Sequence, residues 1–162
     1  RALCDSWATT GKLNRPSNTI TSLALDPQVQ ENFNIKLQKK YAEIEANEVR
    51  YSTYRTEDAE HLIVAFGCMS RIGETVVDMA REHGIRLGLL RPITLYPFPK
   101  KEIDSLVPQL KSIISLELNA GQMVEDIRLV VNGRIPVNFY GRQGGMIPDP
   151  EEILEAFMKT IK

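Results

Sequence analysis

The chain has 162 residues, of which 43% are hydrophobic and 25% charged, with a formal net charge of −1. That is the balance of a globular domain plus an extension, and it lacks the basic footprint of a nucleic-acid binder or of a protein held to an anionic membrane surface. The longest apolar runs are strand-length, well short of the roughly 20 residues that span a bilayer. No basic-then-apolar signal segment is visible. Cys4 and Cys68 lie far apart. They are too few for an iron–sulfur cluster or structural zinc site, which take about four ligands, and sparse unpatterned cysteine reads as reduced and cytoplasmic. The chain begins at Arg1 rather than Met, and is expected to be a piece of something longer.

Residues 1–26 scatter Gly11, Pro16 and several Ser, Thr and Asn without clear periodicity. They read as an irregular linker, with Trp7 as an anchor onto something outside these residues. Asp26-Pro27 supplies an N-cap and a first-turn proline. Val29, Phe33, Leu37, Tyr41 and Ile44 then recur at steps of four and three, predicting a helix over 27–47. Only one stripe of it is apolar and the stripe runs for few turns, so packing on a subunit is favoured over a coiled-coil arm. Residues 49–55 are rich in β-formers and fit an edge strand.

The continuous apolar run at 61–67 fits a strand covered on both faces. Ile72, Val76, Met79 and Ala80 mark a helix closed by Gly84, and 85–90 is a third strand. Ile103, Leu106, Val107 and Leu110 mark a helix that Pro108 should kink or end. Residues 113–118 form a fourth strand. Asn119 with Gln122 resembles a capping box for the next helix, whose buried stripe is Met123, Ile127, Val130 and Val131 and whose stop is Gly133. Residues 136–140 read as an edge strand because Pro136 cannot donate to a ladder. Asp149-Pro150-Glu151-Glu152 opens a last helix with Ile153, Leu154, Phe157 and Ile161 inward.

Strands alternating with helices at this spacing imply right-handed crossovers and a largely parallel sheet. The first strand follows a helix instead of entering the alternation, so it is the one predicted to run antiparallel. The predicted fold is a three-layer α/β/α domain over 27–162, with a five-stranded, mostly parallel sheet, one antiparallel edge strand, and the helix 27–47 as an N-terminal extension.

Strand-to-helix turns of such sheets carry function disproportionately, and the segments 117–125 and 91–99 are the most distinctive here. The turn Gly67–Gly73 could cradle a phosphate at a helix start. Position 69 is Met where a dinucleotide fingerprint needs glycine, and 85–90 runs into Leu89, Leu90 and Arg91 with no acidic residue for a ribose. Cys68 as a nucleophile needs a base. His61 falls at the opposite end of its strand and His83 in a last helical turn, so both read as structural. Glu117 reads as one half of a salt bridge to Arg91 or Arg142 across a strand-end crevice. From its chemistry the chain positions things and performs no reaction alone, and the interface candidates are Arg91, Glu117, Asn119, Gln122 and Arg142. The alternative is a free-standing nucleotide- or coenzyme A-binding module using the Gly67–Gly73 turn. A ferredoxin-docking surface would want a basic patch that this composition lacks.

Trp7-Ala-Thr-Thr-Gly11, Arg15-Pro16, Ile20-Thr-Ser-Leu23, Leu37-Gln-Lys-Lys-Tyr41, Tyr54-Arg-Thr-Glu-Asp-Ala59, Arg91-Pro-Ile-Thr-Leu-Tyr-Pro-Phe-Pro99, Asn119-Ala-Gly-Gln-Met-Val-Glu-Asp126, Val131-Asn-Gly133 and Phe139-Tyr-Gly141 together resemble the α subunit of 2-oxoacid:ferredoxin oxidoreductases, most closely the branched-chain (2-oxoisovalerate) type. The resemblance implies that the chain holds the end of a thiamine-fold domain and all of a domain like the C-terminal domain of transketolase. It implies, for the whole complex, oxidative decarboxylation of a 2-oxoacid with coenzyme A to acyl-CoA and reduced ferredoxin, as part of anaerobic metabolism. Thiamine diphosphate, Mg and iron–sulfur clusters are implied at complex level, none of them in this fragment. The implied partners are β, γ and ferredoxin-like δ subunits in an oligomer, with no nucleic acid and no membrane. No catalytic, cofactor-binding or metal-binding position carries over onto these residues.

Overall fold

The computed structural model describes residues 22–161; Cys4, Trp7 and most of the expected linker over 1–26 lie outside the described residues. The chain divides into two compact units, with the boundary between Tyr41 and Ala42. It falls within the first helix, α1, Pro27–Asn47. The expected cap is present: Asp26 Oδ1 accepts the backbone N–H groups of Gln28 at 2.8 Å and Val29 at 3.3 Å. No residue of α1 is buried.

The second unit holds the sheet. Strand β1, Tyr51–Tyr54, is shorter than the 49–55 expected, because Arg55 turns to φ 51° and leaves the extended region. Strand β2, His61–Ala65, leads to α2, Cys68–Glu82, and then to β3, Leu87–Pro92. That third strand starts two residues later than predicted. The Ile85 N–H is committed to closing α2, donating to Ala80 O at 3.0 Å. Helix α3, Lys100–Leu106, tightens at Pro108 into a single 3₁₀ turn over Val107–Gln109, the predicted effect of a residue with no N–H to donate. Strand β4, Ser112–Glu117, and helix α4, Met123–Val131, follow, then β5, Val137–Gly141, and α5, Pro150–Thr160. The left-handed stop of α4 comes at Asn132 as well as Gly133. Asp149 flanks α5 in extended backbone but makes no side-chain cap bond.

The strands lie in the order β1-β3-β2-β4-β5. All pairings are parallel except β1 with β3, so the antiparallel strand is the first, at an edge, as the helix–strand order predicts. Successive residues of a strand point to opposite faces, and the core divides accordingly. Ile63, Ala65, Leu87, Leu89, Ile114 and Leu116 face α2 and α5 and form one cluster with Val76, Ala80, Ile153 and Phe157. Leu62, Val64, Leu90 and Ile113 face α3 and α4 and pack on Ile103, Val107, Ile127 and Val131. Each fully buried aliphatic or aromatic side chain contributes roughly 1.5–3 kcal/mol. The result is the three-layer α/β/α domain expected.

Backbone approaches strand β3 closely at Gly88. A Cβ there would lie 2.7 Å from Arg55 O, 2.9 Å from the Ala59 Cβ and 3.2 Å from the Thr56 Cα. Two of those neighbours are backbone and the third is an alanine Cβ, so none of them can swing aside. Gly88→Ala is therefore expected to destabilise the domain by about 1–3 kcal/mol, read as a lower urea midpoint with unchanged steepness.

Candidate functional site

In open α/β sheets ligands bind beyond the carboxyl ends of the strands, where neighbouring connections depart to opposite faces. Here that point lies between β2 and β4, whose following helices, α2 and α4, pack on different faces of the sheet. Two turns flank it, Phe66–Gly67 after β2 and residues 118–122 after β4.

Glu117, the last residue of β4, is 0% exposed. Its carboxylate accepts the backbone N–H groups of Gln122 at 3.0 Å, Met123 at 2.9 Å and Val124 at 2.8 Å, and the Ser115 hydroxyl donates to it at 2.9 Å. These are the orphan donors of the first turn of α4. A carboxylate is the charge that the positive end of a helix favours. Burial by itself would raise the Glu117 carboxyl, but the N–H groups of Met123 and Gln122, the Ser115 hydroxyl and the N–H of Val124 outweigh it. The group is held below the ordinary glutamate range.

This corrects two expectations. The cap of α4 is Glu117 rather than an Asn119–Gln122 box: Asn119 Oδ1 accepts from Gly121 N–H at 2.6 Å and shapes the turn, and Gln122 is the N-cap without a side-chain cap bond. Nor does Glu117 pair with an arginine. Ala65 pairs with Leu116, and Val64 with Leu90, so Arg91, one residue on, shares the face of Ala65 and Leu116, the α2/α5 face. Gly141 pairs with Glu117, so Arg142 also falls on that face, where it forms an ion pair with Glu152 of α5. Glu117 points the other way. Arg91 Nε is buried with no hydrogen-bond partner among the described residues.

Of the five interface candidates, Gln122 is exposed, Arg91, Asn119 and Arg142 are half-buried, and Glu117 is wholly internal. The turn is packed from the side as well. The Phe139 ring lies 3.6 Å from where a Cβ of Gly121 would stand, and Asn119 O and the same ring would both crowd a Cβ on Gly141.

The turn after β2 is built differently. Gly67 takes φ 61° as the N-cap of α2, with no side-chain cap bond and no acidic residue in the first turn. The Ser70 hydroxyl donates to Gly67 O at 2.8 Å, and Cys68 is exposed. The histidines are elsewhere. His61 begins β2, at the opposite end from Cys68, with Nδ1 2.8 Å from Ser112 Oγ and its ring edge-on to Phe157 at 5.5 Å. His83 caps the end of α2 and its Nδ1 lies 2.8 Å from Met79 O. Both sit as structural residues, away from Cys68.

What the residue chemistry did not single out is a set of exposed apolar side chains just past the strand ends: Ile93, Leu95 and Tyr96 after β3, Leu118 after β4, Met146 and Ile147 after β5. The Ile93–Tyr96 loop is pinned. Ile93 and Thr94 N–H groups donate to Arg50 O at 2.9 and 3.1 Å, Arg50 N–H donates to Thr94 Oγ1 at 3.0 Å, and the Thr94 hydroxyl reaches Pro97 O at 2.9 Å. Tyr96, 58% exposed, stands on this clamped loop. The signal was present in the sequence as isoleucine, leucine and tyrosine between prolines, but apolar residues in a loop have no period from which to read exposure.

The fold and its carboxyl edge define an α/β domain whose α4 helix start is occupied by its own carboxylate and whose strand-end loops carry apolar groups to the surface. Residues 59–153 match the family described as pyruvate:ferredoxin oxidoreductase core domain II, and the chain belongs to that family. It is 46% identical over 149 residues to ketoisovalerate oxidoreductase subunit VorB of Methanothermobacter marburgensis, covering 92% of this chain and 42% of that protein. It is 38% identical over 104 residues to 2-oxoglutarate synthase subunit KorA of Methanothermobacter thermautotrophicus, covering 64% of this chain and 28% of that protein. The chain thus spans less than half the length of these relatives. Its fold matches the 2-oxoglutarate:ferredoxin oxidoreductase from Magnetococcus marinus with a TM-score of 0.73 at 19% identity, over 96% of this chain and 28% of that one. A split-gene transketolase matches with a TM-score of 0.58 at 17% identity, over 68% of this chain and 40% of that one.

The stability of the domain is expected to fall in two stages on acidification. Burial, and then the charge of Lys111, hold His61 below its ordinary value, so its contribution is complete above about pH 6.5 and is lost as pH falls through the lower folded value. Glu117 contributes fully above about pH 4.3 and loses its share only as pH falls through its own depressed value. Glu117→Gln should cost about 2–3 kcal/mol at neutral pH, because an amide NH₂ cannot accept. It should shrink the lower stage, in which Asp58, hydrogen-bonded by Arg81, also titrates below its ordinary value, and leave the upper one, as measured by urea unfolding across the acid range.

Proposed function

We propose that this chain is a non-catalytic assembly domain in the α subunit of a thiamine-dependent 2-oxoacid:ferredoxin oxidoreductase. The complete enzyme converts a 2-oxoacid, coenzyme A and oxidised ferredoxin to acyl-CoA, carbon dioxide and reduced ferredoxin, with a branched-chain 2-oxoacid, 2-oxoisovalerate, as the substrate class. The observation that carries the reading is the Glu117 cap. One of the two helix starts that flank the expected ligand crevice, that of α4, is already neutralised from within, so that side of the carboxyl edge is arranged to hold a shape rather than an anion. The clamped apolar loop at Ile93–Tyr96 supports the same reading, since a preorganised aromatic anchor loses little freedom on docking.

In this account the domain runs over 27–162 behind a linker at 1–26, and works in the cytoplasm with β, γ and ferredoxin-like δ subunits. Arg91, Asn119, Gln122 and Arg142 face a neighbouring subunit, and Glu117 supports them by fixing the turn that carries Asn119 and Gln122. Two cysteines are fewer than the roughly four ligands a cluster takes, and no group of three or more His, Cys, Asp or Glu is placed to hold a metal among the described residues. On this reading iron–sulfur clusters, and thiamine diphosphate with its Mg, belong to other parts of the complex.

The test is made in the complete oxidoreductase. Tyr96→Ala, Leu118→Asp, Arg91→Ala and Gln122→Ala should each loosen the assembly in sedimentation velocity, with the hydrophobic anchor Tyr96→Ala costing about 2 kcal/mol or more of association. Unchanged sedimentation and turnover in all four variants would remove this edge from the interface.

A further inference from the structure

Strand β1 stands at the end of the sheet and pairs with β3 alone, over four residues. Of its four side chains only Tyr54 packs against a core cluster. A short two-stranded pairing with so little packing is marginal by itself, and segments of that kind open locally at a fraction of the global stability. The hold on β1 must therefore come from elsewhere in the domain, and it comes from α2.

Tyr54 pairs with Leu89, whose side chain is on the α2/α5 face, so the tyrosine ring lies on that face too. Its hydroxyl donates to the Asp78 carboxylate of α2, 3.0 and 3.2 Å from the two oxygens, and Arg55 pairs with the same carboxylate at 3.2 Å. One turn nearer the end of α2, Arg81 commits its whole guanidinium to the same junction. Nη2 donates to Arg55 O at 2.8 Å and to Asp58 Oδ1 at 2.6 Å, Nη1 to Asp58 Oδ2 at 3.2 Å, and Nε to Leu87 O at 2.8 Å. The final pair at this end of the β1–β3 ladder is Tyr54 with Leu89. Arg81 thus bridges the two strands just past the point where their own bonds stop.

The opposite end of β1 carries the tip. Arg50, roughly 16 Å from Arg55 along the strand, accepts the N–H groups of Ile93 and Thr94 and donates its own N–H to Thr94 Oγ1. Asp78 and Arg81 make none of the bonds that pin this loop, yet both fix the strand that does. We infer that Asp78 and Arg81 of α2 are positioning residues for the Leu95–Tyr96 tip, acting through β1; the part this plays in assembly rests on the docking role proposed above. Releasing either anchor lets β1 leave β3 locally, and Arg50 then no longer holds Ile93 and Thr94. The two core clusters stay closed while this happens, because Tyr54 is the one β1 side chain packed against them.

Hydrogen exchange in the complete oxidoreductase, read on peptides by mass spectrometry, tests this. Tyr54→Phe keeps the ring and removes the hydroxyl that reaches Asp78, and Asp78→Ala should match it. Arg81→Lys keeps the charge but loses the fork that reaches two backbone carbonyls and a carboxylate together. Each variant should raise exchange of the peptide 91–99 about tenfold, with 61–65 and 112–117 unchanged. Val131→Ala, a truncation in the α3/α4 cluster, should not raise 91–99 selectively. Wild-type exchange at 91–99 in these variants, or exchange that quickens only in step with 61–65 and 112–117, would overturn the coupling. Faster exchange at 91–99 with unchanged sedimentation upholds the coupling and counts instead against the tip as a docking element.

Discussion

A carboxylate buried at the end of the interior strand β4 sets the geometry of the strand-end turn that follows it. Glu117 would be costly to bury if it stood alone, because removing a charge from water needs several compensating hydrogen bonds. It has them: three backbone N–H groups of the following helix and one hydroxyl two residues back. The same contacts satisfy the donors that α4 would otherwise leave open and fix the angle at which the helix leaves the sheet. Asn119, Gly121 and the Phe139 ring then fold the turn around that fixed point, and the close approach of Asn119 O to Gly141 ties it to the edge strand β5.

Most of the architecture was legible in the sequence because it rests on periodicity. The runs at 62–65 and 113–116 are, apart from Ser115, apolar without alternation because helices cover both faces, and the stripes of α2, α4 and α5 repeat every three or four residues because only one side of each helix meets the sheet. The placement of the antiparallel strand followed from element order alone. The start of β3 was less legible, since Ile85 looks like the first residue of a strand but is held by the end of α2.

The site was harder to read for a physical reason. A cap that reaches from residue 117 to residues 122–124 crosses a turn, and no local spacing rule covers it. The expected ion pairs to Arg91 and Arg142 failed on parity: the sequence places all three residues at strand ends, but only the register between strands tells which face each occupies. Arg142 found Glu152 because α5 lies on its face, and that helix is adjacent only once the chain has folded.

The clamp around Thr94 ties two distant parts of the edge together. Arg50 stands immediately ahead of β1, and Thr94 two residues beyond β3, so the bonds between them continue the antiparallel ladder past its last pair, Tyr51 with Pro92. The outermost strand therefore acts as a ruler: its alignment determines how far the Leu95–Tyr96 tip projects. A slip of one residue along β1 would turn its side chains over and carry the tip with it. Wear at the rim of the sheet would thus be felt at the aromatic tip before it reached the core.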